Sequence, residues 1–352
     1  MASKVITIVG ITGNQVSSSI QFIACILTYI QGASVAEAFL NEVGWKIRGI
    51  SRDPSKASSK EWSDKGVEMV AADLDDAAAI KSAFKGSNAI FGVTDFWQQI
   101  GSPAIHAKAK ETGKSINSIA MEAEIQQGKN IVDAAEATKD TLDTLVLSVL
   151  TDSLKWSKGK ITWNYHFEGK WKIVEYLQKT YPELYKKTSF FQPAFFMTNL
   201  ESQMTPHKVS DDAYGIAFPV DGNKKIPMYH PRQDTGPLVK ALFNSSPGKN
   251  LLGYSSEISF EEIAEIWSKN LGKTVKYQRS TVDDMDKIMP GGVGRELGEM
   301  MEYISEPGYF GGDEAIKELG AITPADVGVS GLSDVREFVK GLKLYWAFPH
   351  DR

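Results

Sequence analysis

The chain has 352 residues, of which 42% are hydrophobic and 24% charged, and its formal net charge is −5. This composition is typical of a globular protein with one large or two closely joined domains, and the negative charge argues against nucleic-acid binding as the main function. The only cysteine, Cys25, leaves no intrachain disulfide possible, and the five histidines are too scattered to predict a metal site. We expect no signal peptide and no membrane span, and therefore a cytoplasmic or nuclear protein.

The first predicted element is a buried parallel strand, residues 5–9, that runs into a glycine-rich loop. The sequence GITGNQ opens a phosphate-binding loop and consists of Gly10, Ile11, Thr12, Gly13, Asn14 and Gln15. In such loops a third glycine follows, where the next helix begins close to the strand and points its free N–H groups at a pyrophosphate. Here the glycine that fits this role is Gly32, and it comes sixteen residues late.

Residues 16–31 separate Gln15 from Gly32, and without them the chain reads GITGNQGASVAEAFL, with three glycines in G-x-x-G-x-x-G spacing. The segment fits an unspliced intron: Val16-Ser17 can be encoded by a 5′ splice signal, Gln31 by a 3′ end, and 16 × 3 = 48 nucleotides suits a small fungal intron. We hypothesise a retained intron. A genuine insertion is the alternative, because loops near binding sites tolerate insertions.

Strands and helices then alternate, which predicts an α/β fold with a parallel, doubly wound sheet. The second strand, residues 45–50, ends near Arg52 and Lys56. Two cations at this position favour the 2′-phosphate of NADP over the free ribose of NAD, although Asp53 adjoins Arg52 and a solvated basic turn is the alternative. The third strand, residues 67–71, ends near Asp73 and Leu74, which we expect beside the adenine.

The fourth strand, residues 89–93, ends in Thr94, Asp95 and Phe96, at the sheet edge where ligands bind in open α/β sheets. Residues 98–120 are polar and weakly patterned, and we interpret them as a long loop or lid. Further elements are predicted at residues 77–84 (helix), 122–138 (helix), 144–148 (strand), 163–177 (helix), 189–193 (strand), 258–267 (a Ser-capped helix) and 274–277 (strand).

Several stretches together resemble the NmrA-like family of atypical short-chain dehydrogenases/reductases. They are the glycine loop without its insert, ISRDPSK at the second strand, VTDFW after the fourth, HFEGK at 166–170, ISFEEIAEIW at 258–267 and the segment 302–312. The resemblance implies a Rossmann domain, residues 1–200, and a smaller α/β domain, residues 201–352, part of which returns to the Rossmann sheet. It also implies a nicotinamide dinucleotide, usually NADP(H), as the cofactor.

By this resemblance each part of the dinucleotide has expected neighbours in the chain. The phosphate loop is residues 10–15 with Gly32, the 2′-phosphate contacts are Arg52 and Lys56, the adenine neighbours are Asp73 and Leu74, and the further cofactor contacts are Thr94, Asp95, Phe96, Lys170, Phe195, Phe196 and Asn199. A lysine contact known in the family falls on Gln126 here, which puts that contact in doubt.

Typical short-chain dehydrogenases use Tyr-x-x-x-Lys, in which the tyrosine relays a proton while hydride moves. Four residues before Lys170 stands His166, and Tyr165 is one step, about 100°, away around a helix. One hypothesis is an NADPH-dependent oxidoreductase acting on a small carbonyl, enone or quinone, with Lys170 positioning the cofactor and His166 or Tyr165 donating the proton. A His166 bonded only to backbone at the helix start is the structural alternative.

The other functional hypothesis is a non-catalytic sensor of the NADP(H)/NADP⁺ ratio that regulates transcription by binding a protein partner. Under either hypothesis we expect a monomer or homodimer without direct contact to nucleic acid or membrane. If residues 16–31 are translated, we expect the 352-residue form to bind dinucleotide poorly or not at all, because the N–H groups after Gln15 are displaced from Gly32.

Overall fold

A computed structural model describes residues 3–12, 29–201 and 204–343. Gly13, Asn14, Gln15 and most of the suspected insert lie outside the described residues. The strands, in chain order, are β1 (Lys4–Ile8), β2 (Trp45–Ser51), β3 (Glu68–Ala71), β4 (Ala89–Gly92), β5 (Thr144–Ser148), β6 (Thr188–Pro193), β7 (Phe195–Phe196), β8 (His207–Ser210), β9 (Ala213–Phe218), β10 (Ile226–Tyr229), β11 (Asn250–Gly253), β12 (Ser256–Ile258), β13 (Thr274–Arg279) and β14 (Ala321–Ile322).

Helices occupy most of the remaining described chain. They are α1 (Tyr29–Phe39), α2 (Ala57–Asp64), α3 (Ala77–Phe84), α4 (Phe96–Ile100), α5 (Pro103–Thr112), α6 (Ile116–Ala137), α7 (Ser153–Trp156), α8 (Tyr165–Thr180), α9 (Pro182–Lys186), α10 (Pro231–Phe243), α11 (Phe260–Leu271), α12 (Val282–Ile288), α13 (Val293–Ser305), α14 (Gly312–Glu318) and α15 (Val335–Gly341), with short 3₁₀ turns at Met197–Glu201 and Ala325–Val327.

The main sheet has the order β14-β11-β6-β5-β4-β1-β2-β3, and its neighbouring strands are parallel. Every residue of β4 and β5 is buried, as expected for parallel strands covered by helices on both faces. The predicted doubly wound sheet is confirmed, and its first six strands lie within one residue of the predicted bounds. Strands β2 and β3 are added on one side of β1, and β4, β5 and β6 on the other. This reversal in the order of strands opens a crevice at the carboxyl ends of β1 and β4.

The part of the chain after residue 200 contributes to this sheet and also supplies every strand but β7 of two smaller sheets. Strands β11 and β14 extend the main sheet beyond β6, and α10 packs against α1. The remaining strands form the three-stranded sheets β12-β10-β7 and β13-β9-β8. The predicted Ser cap at residue 259 is confirmed, because Ser259 and Glu262 form a capping box at the start of α11.

The predicted loop at residues 98–120 is wrong, because α4, α5 and the first turns of α6 occupy it. Its glycines and proline mark helix ends: Gly101 and Gly113 follow α4 and α5, and Pro103 is the first residue of α5. A few buried apolar side chains hold these helices in a separate cluster, namely Phe96, Ile105, Ala109, Ile119 and Ala120. Because most residues of these helices are polar, the few apolar positions did not form a recognisable helical pattern in the sequence.

Within the described part of the chain no helix combines the length and apolar character needed to cross a membrane.

Candidate dinucleotide and active site

Two adjoining cavities lie along the crevice at the carboxyl ends of β1 and β4. The first has a volume of about 160 Å³ and the second of about 260 Å³. Val93, directly after β4, lines both cavities. A ligand with two different ends could therefore lie across the point where the strand order reverses, as in dinucleotide-binding folds. We call them the adenosine cavity and the nicotinamide cavity after the ends predicted to occupy them.

Gly10, after β1, and Gly32, in α1, lie in close contact at the first turn of the fold. A Cβ atom on Gly32 would lie 2.5 Å from the carbonyl carbon and oxygen of Gly10 and from the carbonyl oxygen of Val9. Only a glycine in α1 can therefore approach the end of β1 so closely. This is the packing role of the third glycine in a phosphate-binding turn.

The adenosine cavity is lined by many of the predicted cofactor residues, which are Gly10, Thr12, Arg52, Lys56, Asp73, Leu74 and Asp95. Ile11 does not line it but is buried against Gly49. The Asp53 carboxylate accepts hydrogen bonds from the backbone N–H and the hydroxyl of Ser55, and these bonds hold its pKa below the usual value. The negative charge beside Arg52 is thus used in stabilising the turn.

The residues after β4 divide between the two cavities. Asp95 lines the adenosine cavity and also caps α4, where its Oδ1 accepts from the N–H groups of Trp97 (3.0 Å) and Gln98 (3.1 Å). Phe96 lines the nicotinamide cavity. Thr94 lines neither cavity but bonds to Lys170.

The nicotinamide cavity is mostly apolar and collects the other predicted residues. Phe96, His166, Lys170, Phe195, Phe196 and Asn199 all line it. Sequence reasoning missed one further wall, which consists of Met204, Met285, Met289, Met300, Met301 and Leu297. Apart from Met204, this wall comes from α12, α13 and the residue following α12, in the C-terminal part. No motif in the sequence pointed to it.

Lys170 is held by a buried ion pair. Its ammonium donates to the carbonyl oxygen (3.1 Å) and hydroxyl (3.3 Å) of Thr94 and to the carboxylate of Glu124, which is fully buried in α6. The Thr94 hydroxyl in turn donates to Glu124 over 2.8 Å. A Cβ on Gly169 would lie 2.8 Å from Glu124 Oε2, so the glycine before Lys170 lets α8 approach α6. Sequence reasoning missed Glu124.

His166 is bonded to a side chain and not only to backbone. Its Nδ1 lies 2.6 Å from Glu296 Oε1, and its backbone N–H donates to the same oxygen over 2.9 Å. Its ring packs beside Trp97, with 5.2 Å between ring centroids, and lines the nicotinamide cavity. Glu296 lies on α13, 130 residues further along the chain, and sequence reasoning missed it.

Tyr165, the other candidate proton donor, does not line the nicotinamide cavity. Its ring packs edge-on against Trp163, with centroids 5.5 Å apart, and belongs to the apolar cluster of α4–α6. The one-residue step around α8 turns Tyr165 away from the face that carries His166 and Lys170. Gln126 also lines neither cavity and donates instead to Asn130 over 2.9 Å.

One described residue of the suspected insert takes part in the cavity wall. Gln31 is buried in α1, accepts from the Ser148 hydroxyl over 2.8 Å and donates to the Tyr229 hydroxyl over 3.1 Å. These bonds join α1 to β5 and β10. The glutamine stands directly before Gly32, the position that Gln15 would take in a chain without residues 16–31.

A doubly wound parallel sheet with a glycine-closed first turn and cavities at the strand-order reversal is a Rossmann fold of the NAD(P)-binding type. The model of the NmrA-like family matches residues 28–339, and the chain belongs to this family. The predicted family resemblance is confirmed. A similar curated protein is an NmrA-like family domain-containing oxidoreductase of Cladobotryum sp, 24% identical over 294 residues, which cover 78% of this chain and 75% of that protein.

Solved structures show the same fold at low sequence identity. NmrA, a negative transcriptional regulator solved in complex with NADP, superposes with a TM-score of 0.67 at 17% identity, covering 97% of this chain and 95% of that chain. The NADPH-dependent quinone oxidoreductase of Escherichia coli, solved with NADPH, gives a TM-score of 0.62 at 17% identity, covering 95% and 98%. Among the residues described here, no group of His, Cys, Asp and Glu side chains could hold a metal ion.

Proposed function

We propose that the protein is an NADP(H)-dependent oxidoreductase that acts on a small apolar carbonyl, enone or quinone. The observation that carries the proposal is the pair of cavities that meet at Val93. One is polar and carries Arg52 and Lys56, and the other is mostly apolar and carries His166 and Lys170. A dinucleotide lying across both would bring its nicotinamide, the hydride source, next to these two side chains.

The preference for NADP(H) rests on the tip of β2. Arg52 and Lys56 line the adenosine cavity, and Lys56 is the N-cap residue of α2, so the positive end of that helix faces the same region. Asp53 lines the same cavity, and its Oδ1 is held toward Ser55 by two hydrogen bonds. A guanidinium, an ammonium and a helix N-terminus together suit a dianionic 2′-phosphate better than a free ribose hydroxyl.

The substrate class rests on the walls of the nicotinamide cavity. Its lining includes Phe195, Phe196 and the methionine-rich wall from α12 and α13. Methionine side chains are flexible and polarisable and make favourable contacts with aromatic rings, so the wall suits planar apolar molecules of varied outline. His166 and Lys170 lie one helical turn apart on α8 and, together with Tyr309, are the ionisable side chains that line this cavity.

The chain's own residues have separate roles in this proposal. Lys170, fixed by Glu124 and Thr94, would hold the nicotinamide ribose of a bound dinucleotide. His166 supplies a proton to the substrate oxygen, and the aromatic and methionine side chains exclude water from the reacting groups.

The test is NADPH oxidation, followed by absorbance, against a panel of quinones, enones and carbonyls. We expect turnover by the chain without residues 16–31, and a loss of about 100-fold or more in Lys170→Ala. Lys172→Ala is the matched control, because Lys172 lies on the same helix, bonds to Glu175 and lines neither cavity. Absence of turnover with every acceptor, or equal rates in the two variants, would contradict the proposal.

The alternative is a non-catalytic redox sensor that binds a protein partner. It is favoured by the histidine at the position of the usual catalytic tyrosine and by the likeness to a negative transcriptional regulator. Calorimetry of cofactor binding, the turnover assay and partner capture together separate the two functions. Tight NADP(H) binding without turnover, together with a partner captured in only one redox state of the cofactor, would support the sensor.

A further inference from the structure

Glu296 is held at both carboxylate oxygens deep in the molecule. Oε1 accepts from the backbone N–H and lies against Nδ1 of His166, and Oε2 accepts from the side-chain amide of Asn117 over 3.1 Å. The side chain has no exposed surface. The Glu296 carboxylate belongs to α13 and is held by Asn117 of α6 and His166 of α8. Three helices therefore meet at the histidine.

The environment of Glu296 makes its charge costly without a cation. Burial raises the pKa of the Glu296 carboxyl, although the hydrogen bonds from His166 and Asn117 oppose the shift. The His166 ring, with its Nδ1 at 2.6 Å, satisfies the buried carboxylate when that nitrogen carries the proton, because it then supplies a directed N–H.

We propose that Glu296 is a positioning residue that fixes the His166 imidazole with a proton on Nδ1, so that Nε2 faces the nicotinamide cavity and donates its proton there. The inference rests on the proposed function. In reduction, the hydride from NADPH goes to the substrate carbon and the Nε2 proton goes to its oxygen. The products are NADP⁺, the reduced acceptor and neutral His166, which regains a proton from solvent. A carbonyl gives the alcohol directly, whereas hydride addition to a quinone or to the β-carbon of an enone gives the hydroquinone or the saturated ketone after tautomerisation.

Other ionisable groups lie on the elements around His166. They include Asp95 before α4, Glu124 on α6, Tyr165, Glu168 and Lys170 on α8, Arg295, Glu299 and Tyr303 on α13, and Tyr309, which lines the same cavity. Lys170 is already paired with Glu124, and Asp95 caps α4. Glu296 is the carboxylate that bonds the imidazole.

Glu299 provides the matched control. It lies nearly one turn further along α13, is buried, and accepts from the backbone N–H groups of Thr162 (2.6 Å) and Trp163 (2.7 Å). It anchors the same segment before α8 but does not bond the imidazole. Glu299→Gln therefore reports the effect of disturbing that anchor, and Glu296→Gln reports the effect on the histidine.

The experiment is ¹⁵N NMR of histidine-labelled 352-residue protein, with His166→Gln to assign the signal. We expect the wild-type His166 to show a protonated Nδ1 at neutral pH. In Glu296→Gln we expect that proton to be lost from Nδ1 in the larger part of the population, and in Glu299→Gln we expect the wild-type pattern. This reading needs neither cofactor nor turnover, so it does not depend on the proposed function.

Kinetics test the donor role. In the form that turns over, Glu296→Gln should lower kcat about 10-fold or more, with KM for the acceptor changed less than about threefold. An unchanged ¹⁵N pattern in Glu296→Gln, or equal kinetic losses in both variants, would overturn the inference. The expected ¹⁵N pattern in a protein that reduces no acceptor would refute the proposed function and support the pairing alone.

Discussion

The adenosine and nicotinamide cavities differ in how the chain builds them. The first is formed largely by residues within a few positions of a strand end, such as Arg52 after β2 and Asp73 after β3. In the second, contacts join distant parts of the chain: Lys170 and Thr94 are 76 residues apart, and Gln31 and Tyr229 are 198 apart. Sequence motifs thus describe a site well where local turns form it, and poorly where tertiary packing does.

The largest expected effect concerns the first turn. Deleting residues 16–31 should strengthen NADPH binding about 100-fold or more, because helix N–H groups next to Gly32 then meet the pyrophosphate, and each hydrogen bond to a charged group contributes about 1.5–3 kcal/mol. Gln15 would then precede Gly32, which preserves the glutamine that bonds Ser148 and Tyr229. The measurement is isothermal calorimetry on both forms.

The control is a chain in which fifteen Gly and Ser residues replace residues 16–30, so that Gln31 keeps its bonds to Ser148 and Tyr229. It should bind as weakly as the 352-residue form, since the spacing between Gln15 and Gly32 is unchanged. Equal affinity for the 352-residue chain and the deletion variant would show that the segment is compatible with a working phosphate loop, as in a genuine insertion.

The same contrast explains what the sequence revealed and what it did not. The strands were predictable because each is a short apolar run followed by a turn with glycine or acidic residues, and this pattern lies within a few neighbouring residues, as in β4 and β5. Glu124 and Glu296 were not, because a glutamate on a helix is usually solvated, and only the packing of α6, α8 and α13 buries these two. The helices at residues 98–120 were missed because few apolar residues mark their inner faces.

Gly32→Ala tests the approach of α1 to β1 through stability. The new Cβ would lie 2.5 Å from backbone atoms of Val9 and Gly10, which cannot move aside as a side chain can. We expect a loss of about 3 kcal/mol in the free energy of unfolding, measured by urea denaturation. Gly341→Ala is the control, because its Cβ would meet no atom within 4 Å. Similar midpoints for both variants would contradict the close approach.

Arg52→Ala tests whether the adenosine cavity selects NADPH. Removing a guanidinium from a bound phosphate should weaken NADPH binding about 10-fold to 100-fold and leave NADH binding unchanged. Lys60→Ala is the control, because Lys60 is exposed on α2 and lines neither cavity. A parallel loss of affinity for both dinucleotides would mean that Arg52 supports the fold of the turn and not the choice of cofactor.

Met289→Ala is expected to have the smallest effect and tests the distant wall of the nicotinamide cavity. Met289 follows α12 and lines the cavity, whereas its neighbour Ile288 is 78% exposed. Truncation should raise KM for apolar acceptors about fivefold, from roughly 1 kcal/mol of lost contact, without changing NADPH affinity. Ile288→Ala should change neither. If Met289→Ala weakens NADPH binding as much as acceptor binding, the C-terminal wall contacts the cofactor, and the division between the two cavities is wrong.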